Sequence, residues 1–359
     1  MSNSSFILRG TLEGHNGWVT SLATCKGDET LLVSGSRDKS IVFWKLTGEQ
    51  ENYGVPVKSL LGHGHIVEDV VLTSDGSFAF SASWDKSAKI WNVAEGKAIT
   101  TLRGHSSDVL SVSYNEETSQ VITASRDKTI KVWSVHGECL STLLGHDDWV
   151  TSAKVIVPAK TNKNLIFSAS ADKVAKVCKH IRINKKLRLN INEIDLNNLN
   201  KKFNCIEINE SLCSQYVATI CSEKLLADLK GHNGVINAVA TSPDQTLIAT
   251  GGKDGKLFIW NAKETQPSCS FSFDLNEEIY AIAFCSNRFF MAVSTPTGVK
   301  IIDIEKETVV DNVKPEFVGL NKANEPHAVS LEWSGDSNSV LFAGYTDNTI
   351  RVWEMTTSL

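Results

Sequence analysis

Histidine and aspartate recur in this sequence at a spacing that could support acid–base chemistry. A Gly-His pair opens each of several stretches, and an aspartate follows each of these histidines by 22 to 26 residues. Paired His and Asp side chains act as general bases in many hydrolases. The histidines are His15, His63, His105, His146 and His232, and the aspartates that follow them are Asp38, Asp85, Asp127, Asp172 and Asp254, with a further Asp347 near the C-terminus.

A third residue type recurs with these pairs and favours a structural role for them. Six residues after each aspartate comes a tryptophan, at positions Trp44, Trp91, Trp133, Trp260 and Trp353, with Cys178 as the exception. We expect each histidine to connect its aspartate to a buried strand hydroxyl and to the indole N–H. A buried polar group without such partners costs about 1–3 kcal/mol. The histidines, aspartates and tryptophans are therefore interpreted as structural residues and not as a catalytic dyad.

The elements that position these residues are short strands in a repeat of about forty residues. Successive histidines of the Gly-His pairs are separated by 48, 42, 41 and 86 residues. The first unit predicts strands at Trp18–Ala23, Leu31–Ser36, Ile41–Leu46 and Val57–Leu61, with a turn at residues 37–39. Four strands repeated at this interval are typical of a blade of a WD-repeat β-propeller.

The repeats predict an all-β fold of seven blades. Five blades have a Gly-His opening, a sixth at Glu278–Ile304 has neither His nor Trp, and the last opens at Pro326-His327. Residues Phe6–Leu12 form a fourth strand without three strands before it, and the last blade is one strand short. We therefore expect the N-terminal strand to complete the last blade and close the ring, which leaves no wide unpaired sheet edge. Residues 1–359 are predicted to be a single propeller.

The fourth blade carries an insertion, Cys178 to Ser222, that replaces part of the blade. The interval between its Gly-His pair and the next is 45 residues longer than a normal one, and this segment contains no Gly, Pro or Trp. Three readings stay open: a loosely ordered insertion, a product of unusual splicing, or a specific binding element. The missing tryptophan is expected to weaken the fourth blade by about 3–5 kcal/mol.

Composition and motifs exclude several classes of protein. The formal net charge is −5, no window approaches about 18 consecutive apolar residues, and Met1–Ser5 lacks a signal-peptide pattern. The eight cysteines follow no secreted framework, which indicates reduced thiols. We therefore expect a protein of the cytosol or the nucleus that does not insert into membranes.

The sequence predicts no enzyme, cofactor or metal. GxSxG, HExxH and P-loop motifs are absent, and the glycine-rich stretch Gly251 to Lys256 lies between two predicted strands, as a blade turn would. The spacing of five residues in and beside the insertion matches no zinc site. Those residues are Cys178, His180, Cys205, Cys213 and Cys221.

Basic residues flank the turn aspartates of the first three blades. They form an arc on one face of the predicted ring, on a body whose charge outside the insertion is −8 (−5 in total, less +3 in the insertion). This arc is either a set of contacts to the phosphates of a nucleic acid or a merely solvated surface, and spacing alone does not separate the two. The residues are Arg37, Lys39, Lys86, Arg126 and Lys128.

Several stretches resemble the receptor for activated protein kinase C, the G-protein-β-like scaffold of the small ribosomal subunit, and its fungal forms above all. They include LRGTLEGHNGWVTSLAT (Leu8–Thr24), SASWDKS, SRDKTIKVW, LLGHDDWVTS, GGKDGKLFIWN, VKPEF (Val313–Phe317) and EPHAVSLEW…LFAGYTDNTIRVW (Glu325–Trp353). The similarity covers the chain except Cys178 to Ser222, and it includes the blades that lack Gly-His or Trp.

The resemblance implies a non-catalytic scaffold on the head of the small ribosomal subunit, near the mRNA exit channel. Its implied partners are ribosomal RNA, ribosomal proteins, kinases of the protein kinase C type and regulators of translation. The basic pair that anchors the family to the ribosome corresponds to Arg37 and Lys39, whereas Lys86, Arg126 and Lys128 follow only from the arc. The alternatives are a G-protein β-type subunit, for which a strand starting near Phe6 leaves no N-terminal helix, and a generic WD-repeat adaptor.

Overall fold

The described residues form seven β-sheets. The computed structural model describes residues 4–49, 53–156, 164–182, 187–188, 206–209, 217–262, 267–286, 288–316, 325–334 and 340–357. Their regular structure consists of β-strands, and no helix in these ranges is long and apolar enough to span a membrane. The predicted all-β, seven-bladed fold is confirmed.

Each sheet has four principal antiparallel strands. Blade 1 contains β2 (Val19–Thr24), β3 (Leu31–Ser36), β4 (Ile41–Leu46) and β5 (Gly54–Leu60). Blade 2 contains β6 (Val67–Leu72), β7 (Phe78–Ser83), β8 (Ser87–Asn92) and β9 (Lys97–Arg103). Blade 3 contains β10 (Val109–Asn115), β11 (Gln120–Ser125), β12 (Ile130–Ser134) and β13 (Cys139–Leu143).

The remaining four blades follow in chain order. Blade 4 contains β14 (Val150–Ile156), β15 (Asn164–Ser170), β16 (Ala175–Arg182) and β19 (Val217–Leu229), with β17 (Leu187–Arg188) and β18 (Ile206–Asn209) paired to β19. Blade 5 contains β20 (Ile236–Thr241), β21 (Leu247–Gly252), β22 (Lys256–Asn261) and β23 (Ser268–Asp274). Blade 6 contains β24 (Ile282–Phe284), β25 (Phe290–Thr295), β26 (Gly298–Asp303) and β27 (Thr308–Val313). Blade 7 contains β28 (Ala328–Trp333), β29 (Val340–Tyr345), β30 (Thr349–Thr357) and β1 (Ser4–Glu13).

The second strand of each blade is the most deeply buried, and its composition explains why. Every residue of β11, the second strand of blade 3, is buried. Most residues of β9, the fourth and outermost strand of blade 2, are exposed. Small and β-branched residues pack on both faces of these inner strands, between the sheets of neighbouring blades. The core is therefore a series of layers between blades, with the outermost strands in contact with solvent.

The first strands of the seven blades contact one another in sequence and close a ring. β28 of the last blade contacts β2 of the first. Hydrogen bonds between blades reinforce these contacts: Ser330 Oγ donates to the carbonyl of Val19 at 3.0 Å. The carboxylate of Asp69 accepts bonds from Ser21 of blade 1 at 2.9 Å and Ser111 of blade 3 at 3.0 Å. These hydrogen bonds between first strands fix the position of each blade relative to its neighbours around the central axis of the ring.

The N-terminal strand β1 completes blade 7. It pairs antiparallel with β30 from Ser4 opposite Thr357 to Glu13 opposite Thr349, with a bulge between Leu8 and Gly10. Leu12 is 2% exposed and packs in a cluster shared with blade 1. The strand therefore joins the two ends of the chain and contributes to the core between blades 7 and 1.

Blade 4 has a fourth strand, β19, which begins at Val217, within the predicted insertion, and ends at Leu229. Cys178 occupies the position of the missing tryptophan, is buried, and lies opposite Ile166 on one neighbouring strand and Leu225 on the other. Most of the predicted insertion, residues 183–186, 189–205 and 210–216, lies outside the described residues. The prediction that residues 178–222 form a separate insertion within one propeller therefore stays a prediction.

Leu12→Ala is expected to lower the free energy of unfolding by about 2–5 kcal/mol, since it leaves a cavity in the closing strand. Ile7→Ala on the same strand is the matched control, because Ile7 is 47% exposed and its loss should change stability by less than about 0.5 kcal/mol. Urea unfolding followed by tryptophan fluorescence compares the two. A loss for Leu12→Ala as small as that expected for Ile7→Ala would show that β1 does not contribute to the core.

Candidate nucleic-acid interface

A buried hydrogen-bond chain ties the first histidine of the repeat to the turn between β3 and β4. His15 Nδ1 lies 2.9 Å from Asp38 Oδ2, and its Nε2 lies 2.6 Å from Ser34 Oγ. Trp44 Nε1 donates to the same hydroxyl at 2.8 Å. Because a carboxylate only accepts hydrogen bonds, the imidazole proton is on Nδ1. The chain runs from indole to hydroxyl to imidazole to carboxylate.

The same chain recurs in blades 2, 3 and 5. The contact between histidine and aspartate spans 2.7 to 3.0 Å, and the indole N–H donates to the shared hydroxyl at 2.8 to 2.9 Å. The sets are His63, Asp85, Ser81 and Trp91; His105, Asp127, Thr123 and Trp133; His232, Asp254, Thr250 and Trp260. These polar atoms are hydrogen-bonded within the fold and hold the turn in each of these four blades.

The hydrogen bonds keep the turn aspartates ionised. Burial alone would raise the pKa of Asp38, but bonds from His15, Ser40 and the backbone N–H of Asn16 outweigh it and place the pKa well below its usual value. The same balance holds for Asp85 and Asp127. A carboxylate of such low basicity that already accepts several bonds is a poor general base.

Blade 6 lacks the histidine and the tryptophan, and blades 4 and 7 depart from this arrangement in other ways. In blade 4, His146 contacts Asp172 at 2.7 Å and Ser168 at 2.8 Å, with Cys178 in the place of the indole. In blade 7, Asp347 pairs with Arg351 at 2.6 Å and Ala343 stands where the hydroxyl would be. No Gly-His histidine precedes Asp347 in the repeat, and the arginine takes the place of the histidine as partner of its carboxylate.

The hydrogen bonds that hold the turn aspartates in place also set the position of the basic residues next to them in sequence. These basic residues lie on one face of the ring. The turn between the second and third strands of each blade lies at the same end as the Gly-His loop, because Asp38 bonds both His15 and the backbone of Asn16. Four of the five predicted residues are exposed there: Arg37, Lys39, Lys86 and Lys128. We name this surface, with its loops and turns, the basic face.

Arg126 differs from the expectation, because it is turned against its neighbours and only partly exposed. Its guanidinium lies over the ring of Trp84 at 4.1 Å and the ring of Trp149 at 4.6 Å. Its Nη1 pairs with Asp108 Oδ2 at 2.6 Å. In blade 1, the guanidinium of Arg37 similarly covers the ring of Trp18 at 3.5 Å. Both arginines of the predicted arc are therefore stacked on indoles of this face.

The lysines of the turns have a backbone conformation that does not suit them. Lys39, Lys86, Lys128 and Lys173 have φ values of 72°, 66°, 71° and 68°. This left-handed region costs an ordinary residue about 1–2 kcal/mol, while glycine and asparagine adopt it readily. Blades 5 and 7 use Gly255 and Asn348 at the same position, with φ of 72° and 71°. Turn geometry alone does not explain four lysines, which points to a use for their charge.

Sequence reasoning missed part of this surface. Lys173 and Lys253 are exposed in the corresponding turns of blades 4 and 5. The signal in the sequence is the turn aspartate that each of them adjoins, Asp172 and Asp254. The indoles of Trp18, Trp84 and Trp149 were also missed, because their stacking on arginines joins residues from different loops and blades.

A carboxylate lies within electrostatic reach of both arginines. Burial raises the pKa of Glu68 to about 7, while the charges of Arg37 and Arg126 act in the opposite direction. Glu68 is on β6, the innermost strand of blade 2, between the blades that carry these arginines. It therefore adds a titratable group beneath the basic face near the axis of the ring.

The remaining candidate sites have structural explanations or lack support. At Gly252, a Cβ atom would lie 2.3 Å from the carbonyl of Val235, so close packing requires this glycine. Among the described side chains, no group of three or more His, Cys, Asp or Glu residues could hold a metal ion. The side chains of His180, Cys205, Cys213 and Cys221 lie outside the described residues.

The repeats match a known family model. The model for the WD domain, G-beta repeat, matches residues 6–45, 54–92, 96–134, 137–179, 223–261 and 322–354. The matched segments stop at 179 and resume at 223, on either side of most of the insertion, and they omit blade 6, which has neither the Gly-His pair nor the tryptophan. Fold and repeats together define a WD-repeat β-propeller.

Proteins that are similar to nearly the full length of the chain show which family of WD-repeat propellers it belongs to. The small ribosomal subunit protein RACK1 of Saccharomyces cerevisiae is 46% identical over 359 residues, covering 99% of both chains. The proteins of the same name from Neurospora crassa and Candida albicans are 46% and 42% identical, covering 97% and 98% of this chain and 96% and 97% of theirs. The chain belongs to the RACK1 family.

Ser34→Ala is expected to lower the free energy of unfolding by about 2–4 kcal/mol, since His15 and Trp44 both lose a buried partner. Ser168→Ala in blade 4 is the matched control: it removes the contact with His146 but no indole bond, so about half that loss is expected. Thermal and urea unfolding measure both. A larger loss for Ser168→Ala would contradict the role given to the indole bond.

Proposed function

We propose that this chain is a non-catalytic scaffold that binds the small ribosomal subunit through its basic face. The relatives are named as proteins of that subunit, which favours this role over a G-protein β subunit or an adaptor that does not bind ribosomes. Following the family resemblance, we place it in the cytoplasm, on the head of the subunit near the mRNA exit channel.

One observation carries the proposal: exposed lysines hold a strained backbone conformation on one face of an acidic protein. The net charge is −5, yet Arg37 and the lysines at 39, 86, 128 and 173 lie in turns at the same end of successive blades. Phosphates attract such an arc through charge, and each neutralised phosphate releases counterions. RNA backbone is the partner that suits this arrangement.

A scaffold of this kind acts by holding its binding partners close to the ribosome. Each blade contacts its neighbours and the ring is closed, so a disc held by its basic face keeps its rim and opposite face free. Exposed apolar side chains on the outer strands, such as Val57 and Ile99, suit protein partners. We infer that kinases of the protein kinase C type and regulators of translation bind there, at a raised local concentration near the ribosome.

The absence of catalysis is part of the proposal. The His–Asp pairs that resemble acid–base dyads are wholly or partly buried and hydrogen-bonded within the blades, and their carboxylates are held ionised. Nothing in their geometry leaves a nucleophile beside a base at the surface of the described blades.

Arg37→Asp with Lys39→Glu is expected to release the protein from small subunits. The double change replaces two attractive charges by repulsive ones, and the slope of log affinity against log salt should shrink by about 1–2. Sucrose-gradient co-sedimentation and salt titration measure the effect. Lys45→Asp with Lys97→Glu, at the opposite end of the strands, makes the same change in charge and should leave binding intact. Unchanged co-sedimentation of the first variant at moderate salt would refute the proposal.

Lys39→Asn is expected to separate binding from stability. Asparagine suits the left-handed conformation, as at Asn348, so the free energy of unfolding should stay the same or rise by up to about 1 kcal/mol. Affinity for small subunits should fall, because one phosphate contact is lost. A fall in stability together with unchanged affinity would show that the lysine serves the turn alone.

A further inference from the structure

A stack of rings around one guanidinium crosses blades 4, 3 and 2 on the basic face. Trp149 and Trp84 each contact Arg126, at 4.6 and 4.1 Å from its guanidinium carbon to the ring centres. His65 then stacks on Trp84, with ring centres 5.7 Å apart and planes inclined by 15°. Each member comes from a different loop or turn, so the arrangement exists only in the folded ring.

Trp149 is the exposed end of this stack, and its backbone is fixed. The residue is 47% exposed. Its N–H donates to Asp148 Oδ1 at 2.8 Å, and its carbonyl accepts from the N–H of Ala171 at 2.9 Å. The guanidinium of Arg126 supports the ring. A large aromatic side chain held in a defined place at the surface is typical of a binding site.

Arg126 acts here as a support and not as a free cation. Its charge is paired with Asp108 at 2.6 Å, and its side chain is partly buried among the indoles. This assignment gives the residue a different role from the phosphate contact expected from the sequence.

Two exposed lysines flank the indole. Lys128 Nζ donates to the carbonyl of Asp147, two residues before Trp149, at 2.8 Å. Lys173 follows Ala171 by two residues and adopts the same left-handed turn as Lys128. An aromatic ring between cations is the usual platform for a nucleotide, because the base stacks on the ring while the cations contact phosphates.

We propose that Trp149 receives an unpaired base of the ribosomal RNA, with Lys128 and Lys173 beside the adjoining phosphates. The inference rests on the proposed function and adds to it a stacking contact that does not depend on charge. Charge complementarity favours RNA over a protein side chain, since the indole lies within the arc of lysines on an otherwise acidic molecule.

Trp149→Ala should weaken binding to small subunits by about 5- to 150-fold, the range expected for one stacked base. The slope of log affinity against log salt should stay as in the wild type, because no charge is removed. Trp149→Phe should retain most of the affinity. Phe289→Ala is the matched control: Phe289 is 65% exposed but lies at the opposite end of the strands, so its loss should have no effect. Equal affinity of Trp149→Ala and wild type overturns the inference.

A photoreactive phenylalanine analogue at position 149 identifies the occupant. The expected result is a crosslink to one unpaired nucleotide of the ribosomal RNA. A crosslink to a ribosomal protein overturns the inference and leaves the proposed function standing. Failure of the wild type to bind small subunits overturns the proposed function, and with it this inference. Thermal unfolding of each variant confirms that the fold is intact.

Discussion

The hydrogen bonds of the half-buried turn carboxylate are the interaction on which the rest of the structure depends. In blade 1, Asp38 binds the imidazole of His15, the backbone of Asn16 and the hydroxyl of Ser40. One charged group thereby joins the loop that enters the blade to the turn between two of its strands. Repeated around the ring, this contact gives successive blades the same turn at the same end of the sheet, and the cations beside each carboxylate are set out along one face.

The basic face shows how the fold and the proposed binding make opposing demands. A turn built for stability would have glycine or asparagine after the aspartate, as blades 5 and 7 do with Gly255 and Asn348. Lysines in blades 1 to 4 cost backbone strain that the hydrogen bonds of the aspartate offset. Arg126 has a different role from the exposed lysines. Its charge is paired with Asp108, and its guanidinium supports two indoles instead of acting as a free cation.

Repeat spacing was enough to predict the number of blades and their strands, because Gly-His, Asp and Trp mark fixed points of each sheet. Even blade 6 could be placed, through its alternating apolar residues and its position between two marked blades. The side-chain partners of Arg126, Asp347 and Trp149 could not be predicted from the sequence. The partners of Arg126 and Trp149 come from other loops. The partner of Asp347 depends on a substitution, Ala343 in place of the strand hydroxyl, that only the strand register reveals. The lysine at 173 was predictable from its turn, whereas the strain at all four lysines required backbone angles.

The orientation of the disc on the ribosome is the central claim, and electron cryo-microscopy of the protein bound to small ribosomal subunits tests it most directly. The account predicts that the turns holding residues 37–39, 84–86 and 126–128 lie against ribosomal RNA, with side-chain nitrogens of Arg37 and Lys39 within hydrogen-bonding distance of phosphate oxygens. A complex in which the opposite face or the outer strands contact the subunit, with these turns in solvent, would contradict it.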